Sequence, residues 1–199
     1  MKILSQGAEA VITREDNRVT KDRIKKSYRL DSIDIKLRKR RTRLEVSLLQ
    51  AARRCGVDVP QVLSSTDTII EMEFIDGDVV KDIVDEENVD RLANIIGSSI
   101  ARMHEYNIIH GDLTTSNMIL HNDKVYFIDF GLGFQSSKIE DRAVDLYLLH
   151  NAIEAAHWQI LEKAWKIILN AYKTGYLEAD KVIKTLLQIE KRGRYKNKS

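Results

Sequence analysis

With 199 residues, 43% of them hydrophobic, and one cysteine, the chain can bury a real core, is small for a two-lobed enzyme, and has neither a disulfide framework nor zinc-finger spacing. Its first residues are too short in apolar character for a signal peptide and 94–103 is broken by polar residues well before membrane length, so a soluble cytoplasmic protein with no membrane partner is expected. The net charge of +2 hides a segregation, because residues 18–43 hold twelve Lys and Arg against three acids, and 191–199 hold five with no acid.

Three strands are predicted at the front, over 1–4, 8–14 and 19–23, with Glu15-Asp16-Asn17-Arg18 as a turn between the last two. The first turn, Ser5-Gln6-Gly7-Ala8-Glu9-Ala10, has one glycine where a glycine-rich phosphate loop has three, so as a phosphate cradle its signal is weak. Gly7 and Ala8 nevertheless let backbone amides approach a phosphate. Lys21 on the third strand is placed to meet the alpha and beta phosphates and needs an acidic partner on the next helix. That helix is read over 34–54, with Leu37, Leu44, Leu48 and Ala51 or Ala52 on one face, and Glu45 at the edge of that face is the partner expected. A surface glutamate paired locally with Arg41 or Arg38 is the ordinary alternative.

After Pro60, residues 68–74 read as a strand running into Ile75-Asp76-Gly77, a natural link between lobes. By position Met72 walls an adenine pocket, and Glu73 to Ile75 offer main-chain groups to the base. Leu92, Ile95, Ile96, Ser99, Ile100 and Met103 recur at helical spacing, and His104 on that helix reads as a packed core histidine.

His110-Gly111-Asp112 follows, with Asn117 five positions after the aspartate. Two short strands, 118–120 and 125–128, flank Asn122-Asp123 and lead into Asp129-Phe130-Gly131. Order and spacing together describe the metal and phosphate machinery of a protein-kinase-like fold binding Mg2+ and ATP: Asp112 orients the attacking group, while Asn117 and Asp129 hold magnesium. Only fifteen residues separate Asp129 from Asp145 and no Ala-Pro-Glu string lies between them, so little room remains for a protein-substrate platform. Asp145 is expected to be a buried anchor that accepts backbone hydrogen bonds from the catalytic loop. Gly111 stands where an arginine usually pairs with a phosphorylated activation loop, so switching by that route is not expected. Trp158, Ile160, Leu161, Trp165, Ile168, Leu169 and Tyr172 read as one amphipathic helix with core tryptophans, and Val182, Ile183, Leu186, Leu187 and Ile189 as a last one. The terminal basic run lacks apolar anchors and carries Gly193, which predicts a mobile arm suited to polyanions. The whole is α+β, a small β-rich N-lobe over 1–75, a reduced helical C-lobe over 76–190 without a full activation segment, and a basic tail over 191–199.

The strings Lys21-Asp22-Arg23-Ile24-Lys25-Lys26-Ser27-Tyr28-Arg29, Arg41-Thr42-Arg43-Leu44-Glu45, His110 to Asn117 and Asp141 to Tyr147, with the opening Gln6-Gly7-Ala8-Glu9-Ala10, resemble the PRPK-type small kinase of the KEOPS complex over essentially the whole chain. The resemblance implies a stand-alone archaeal-type form of an atypical serine/threonine kinase that acts chiefly as an ATPase. It also implies work beside the threonylcarbamoyl-transferase subunit and other KEOPS subunits in threonylcarbamoyl-adenosine modification of transfer RNA, with no DNA partner. Lys21 and Glu45 then form the phosphate-positioning pair, Asp112 is the catalytic carboxylate, Asn117 and Asp129 hold magnesium, and Arg192, Arg194 and Lys196 belong to the family's basic tail. The rival readings are a nucleotide-binding pseudokinase scaffold and a small-molecule phosphotransferase of the aminoglycoside or choline type.

Overall fold

The computed structural model describes residues 2–7 and 9–196, and for 193–196 the backbone alone. An upper antiparallel sheet is built from β1 (Lys2–Gln6), β2 (Ala10–Glu15), β3 (Arg18–Arg23), β4 (Val62–Ser65) and β5 (Ile69–Glu73) in the order β1-β2-β3-β5-β4. The tight β2–β3 connection is made possible by Asp16, whose φ of 50° lies in the left-handed region that aspartate tolerates. β4 was not foreseen from the sequence; Leu63, Ser64 and Ser65 are exposed along this edge strand, so little apolar alternation marks it.

Helix α1 (Asp31–Arg54) crosses the sheet, with Asp31 and Asp34 in its first turn and Arg53 and Arg54 in its last, as the helix dipole favours. It stops at Gly56, whose φ of +79° closes a Schellman motif: the Gly56 amide bonds to the Arg53 carbonyl and the Val57 amide to that of Ala52. Leu48 and Ala52 are buried on its inner face as expected, whereas Leu37 and Leu44 are only partly covered. Asp34, Thr42 and Glu45 fill the rest of that face, so Glu45 lies inside it rather than at its edge.

Residues 74–77 lead down to β6 (Asp78–Val79) and the short α2 (Val80–Ile83). The lower part is built on α3 (Val89–Glu105), whose Leu92, Ile96, Ile100 and Met103 are buried against α5 (Leu161–Gly175) through Ile168 and Tyr172. Around this pair pack α4 (Ile139–His157), through Leu146 and Leu149, and α6 (Ala179–Lys196), through Val182 and Leu186. Two small sheets carry the loops between them: β6 with β8 (Met118–His121) and β9 (Lys124–Phe127), and β7 (Ile108–Ile109) with β10 (Phe134–Gln135). The β8–β9 hairpin turns through Asn122 and Asp123, both at positive φ (47° and 61°), as a type I′ turn requires.

Two expectations are corrected. Trp158 is not a core residue of α5: it caps α4, lies outside α5 and is 71% exposed. The basic run does not leave the last helix as an arm at Lys191, because α6 continues to Lys196; Lys and Arg are good helix formers and suit a helix C-terminus, and one glycine does not interrupt them. Arg192 is exposed, and the side chains of Arg194 and Lys196 lie outside the described residues. Among the described residues no helix is long and apolar enough to cross a membrane.

Candidate active site

The sheet, α1 and the loops after β7 and β9 meet around one cleft. Its inner part, about 440 Å3, is lined by Leu4, Val19, Met72, Ile75, Ile119 and Ile128 among others, and its outer part, about 280 Å3, by Gly7, Glu9, Arg23, Arg41, Asp112 and Gly131. Lys21 and Asp129 border both parts, at the junction. Five polar side chains selected by sequence therefore converge here: Lys21, Glu45, Asn117 and Asp129 line the inner part, and Asp112 the outer.

Lys21 reaches Glu45 Oε1 at 2.7 Å and Asp129 Oδ1 at 2.7 Å. Lys21 is 6% and Glu45 1% exposed, so this ammonium bridges a buried carboxylate, Glu45, and a solvent-facing one, Asp129. Arg23, not singled out as a site residue, donates to the other oxygen of Glu45. Its position two residues after Lys21 puts both on one face of β3, a signal the sequence did contain. Arg41 does not pair with Glu45 but reaches across to Glu9 at 2.6 Å, tying the turn after β1 to α1.

Asn117 sits in a single 3₁₀ turn (Thr115–Asn117), and its Nδ2 donates to the backbone and side-chain oxygens of Asp112 at 2.9 and 2.8 Å. With the amide nitrogen so used, the amide oxygen is the ligand atom left for a cation. Asp129 adopts a φ of 60°, and its Oδ1 takes both Lys21 and the Gly131 amide, while neither bonds to Oδ2. Burial alone would raise the Asp129 carboxyl, but the Lys21 charge and hydrogen bond and the Gly131 amide outweigh it and hold it below the usual carboxylate range. An amide oxygen and an ionised carboxylate are hard donors that suit magnesium, which takes few protein ligands and completes its shell from phosphate and water. Among the described residues no cluster of three or more acidic, His or Cys side chains could hold a metal without such help.

The base-binding expectations are met unevenly. Met72, Glu73 and Ile75 line the inner part of the cleft. The Glu73 amide is committed to the Gln61 carbonyl, which removes one main-chain donor a base could have used, while the Ile75 carbonyl accepts the Gly77 amide and keeps a second lone pair. Gly7 lines the outer part, Gln6 ends β1 opposite Val11 with its side chain exposed, and Ala8 lies outside the described residues.

A buried scaffold holds the loop that carries Asp112. Asp145, 1% exposed on α4, accepts the amides of His110 and Gly111 at 2.8 and 2.9 Å. Gly111 has a φ of +78°, and a Cβ there would stand 2.3 Å from the Leu132 carbonyl; the turn needs glycine for both reasons. His110 accepts the Asp112 amide at Nδ1 and meets the Ile128 carbonyl with Nε2 at 3.1 Å, so the neutral ring with its proton on Nε2 links the Asp112 and Asp129 loops. His104 connects Asp145, 3.3 Å from its Nε2, to the Tyr172 hydroxyl, 2.8 Å from its Nδ1. Sequence alone left His104 as packing; its partners lie on α4 and α5, far away in the chain.

Burial pushes the pKa of both His104 and His110 below the ordinary 6.5, so the fold keeps them neutral. Below pH 6.5 the unfolded chain takes up protons that the fold refuses, and stability is lost as pH falls from 6.5 toward the depressed folded values. Urea unfolding should therefore show a lower midpoint at pH 5.5 than at pH 7.5, and the drop should be smaller for His104→Asn. An equal drop in both proteins would count against a buried neutral His104.

Cleft and fold define the class: a protein-kinase-like domain of the reduced kind, and the sequence matches the RIO domain family over residues 1–150. In solved structures, the Rio2 kinase–ADP/Mg2+–phosphoaspartate complex from Chaetomium thermophilum superposes with a TM-score of 0.65 over 98% of this chain and 72% of that one, at 15% identity, a likeness of fold. Among curated proteins, the KEOPS complex subunit Bud32 of Pyrococcus abyssi is 39% identical across 100% of this chain and 98% of its own length. A probable bifunctional tRNA threonylcarbamoyladenosine biosynthesis protein of Methanocorpusculum labreanum is 43% identical over 96% of this chain, which corresponds to 35% of that larger protein. The chain belongs to the Bud32 family.

Proposed function

We propose that this chain is the Mg-ATP-dependent kinase or ATPase subunit of a KEOPS complex, acting in the cytoplasm beside a threonylcarbamoyl-transferase subunit in the modification of transfer RNA. The observation that carries the reading is the convergence of Lys21, Glu45, Asp112, Asn117 and Asp129 on one cleft of a Bud32-family chain. In it the base lies against Met72 and Ile75, Lys21 turns its ammonium to the phosphates, and Asn117 and Asp129 hold magnesium. Bound magnesium would neutralise charge developing on the transferred phosphoryl group. Asp112, held by Asn117, orients the attacking oxygen. Water is the acceptor favoured, because only residues 130–138 lie between Asp129 and α4, and Phe134 and Gln135 in that segment are paired to β7 rather than open to a peptide.

ATP hydrolysis measured alone, with the transferase subunit, and with transfer RNA over a salt series tests this. Turnover should rise with both partners, and the RNA-dependent part should fall about tenfold between roughly 50 and 200 mM salt if the basic end makes two phosphate contacts. Removing residues 192–199 should weaken that RNA dependence more than it weakens Mg-ATP binding. No hydrolysis under any condition would overturn the ATPase reading, and equal stimulation of the truncated protein would remove the basic end from it.

A further inference from the structure

Lys21 and Arg23 stand two residues apart on β3, are 6% and 4% exposed, and share one anion. Lys21 takes Glu45 Oε1 and Arg23 takes Oε2. The arrangement is lopsided: Lys21 also holds Asp129, whereas Glu45 is the carboxylate that Arg23 meets among the described residues. Once Asp129 turns to magnesium, the Lys21 ammonium must serve Glu45 and the phosphates together, and a second cation on Glu45 shares the work of anchoring α1. A guanidinium keeps its charge at every physiological pH, so Arg23 can hold Glu45 while Lys21 exchanges partners.

Three further observations place Arg23 at the working end of the site. It lines the outer part of the cleft with Asp112, Asp129 and Gly131. A Cβ on Gly131 would lie 3.4 Å from Lys21 Nζ and 3.7 Å from an Arg23 terminal nitrogen, so the two cationic heads sit side by side over the Asp-Phe-Gly turn. Its own carbonyl accepts Arg38 of α1 at 3.3 Å, and Arg38 is pinned by the buried Asp34 at 2.6 Å, so main chain and side chain of Arg23 both clamp the helix.

We propose that Arg23 is a positioning residue that keeps α1 docked through Glu45 and so keeps Lys21 aligned, giving a site assembled without phosphorylation of an activation segment. This rests on the Mg-ATP reading above. It fits a chain with Gly111 where that switch would need a cation and with a short paired segment after Asp129. Arg23 acts here through Glu45, not on the phosphates themselves.

The test compares Arg23→Met, Arg23→Lys, Glu45→Gln and the Arg23→Met/Glu45→Gln double variant by kcat and KM for Mg-ATP, by equilibrium Mg-ATP affinity, and by thermal unfolding as a check of folding. Arg23→Met should lose roughly tenfold to a hundredfold in kcat and several-fold in affinity, the size expected for a misaligned reacting group. Arg23→Lys should lie between it and the wild type. In the Glu45→Gln background, Arg23→Met should change kcat less than about twofold, because both substitutions break one contact. Losses that multiply would show Arg23 acting on the nucleotide independently and overturn the proposal, as would wild-type kcat in a folded Arg23→Met protein. Should the methionine variant fail to fold, wild-type kcat in Arg23→Lys overturns it. Absence of turnover in the wild type would sink the ATPase reading, and the affinities then decide: unchanged Mg-ATP affinity in Arg23→Met removes the role of Arg23.

Discussion

Mg-ATP turnover by the Asp129→Asn protein should fall by roughly two to three orders of magnitude, with the fold intact. Asn is the informative replacement because Asp129 sits at a φ of 60°, which asparagine tolerates and alanine resists at a cost of about 1 kcal/mol. The substitution keeps the shape and removes the charge. Lys21 then loses one of its two carboxylates and pairs with Glu45 alone, and the proposed cation site of Asn117 and Asp129 loses its carboxylate. Little stability should be lost, since the Asp129 side chain is 44% exposed and its ion pair is partly screened. The free-magnesium dependence of hydrolysis separates this from a general loss of nucleotide binding: the variant should need far more Mg2+, while its affinity for metal-free nucleotide stays near that of the wild type. Unchanged turnover in this variant would remove Asp129 from the proposed metal site.

What the sequence disclosed and what it withheld divide along physical lines. His110-Gly111-Asp112, Asn117 and Asp129 were legible because each occupies a fixed offset in one continuous stretch, and a hairpin with Asn122-Asp123 at its tip fixes the distance between the two loops. Glu45 was legible as a partner for Lys21, but the reason it is a good partner was not: it lies among buried residues of α1 with a second cation on its other oxygen. Arg23 gave a cue in its spacing from Lys21, yet a basic run offers many arginines, and only the packing of α1 on β3 distinguishes the buried one from Arg40 or Arg43, which are exposed. The chain Asp145–His104–Tyr172 joins α4, α3 and α5, and no periodicity predicts which polar residues of three helices will meet. Trp158 misled because aromatic size suggests burial, although its place at the bend between α4 and α5 leaves most of it in solvent.

Asp145→Ala should strongly destabilise the lower lobe. The carboxylate is 1% exposed and supplies acceptors to the His110 amide, the Gly111 amide and His104 Nε2. Alanine leaves all three donors buried without a partner, and breaking a buried charged network of this kind costs about 3–5 kcal/mol. A domain of ordinary stability holds about 5–15 kcal/mol in total, so the variant should be close to unfolding at 37 °C. Asp145→Asn retains an acceptor oxygen but brings an NH2 group toward amides that are themselves donors; it should lose about 1–3 kcal/mol and stay folded. The loss should be localised: amide exchange at residues 110 and 111 should accelerate in Asp145→Asn before the helices α3 and α5 loosen, because those amides hold the loop that presents Asp112. Turnover should then fall with the loop, while nucleotide affinity, which depends on Lys21 and the upper sheet, changes less. A loss below about 1 kcal/mol for the alanine variant would mean that water replaces the carboxylate, and that Asp145 does not brace the loop.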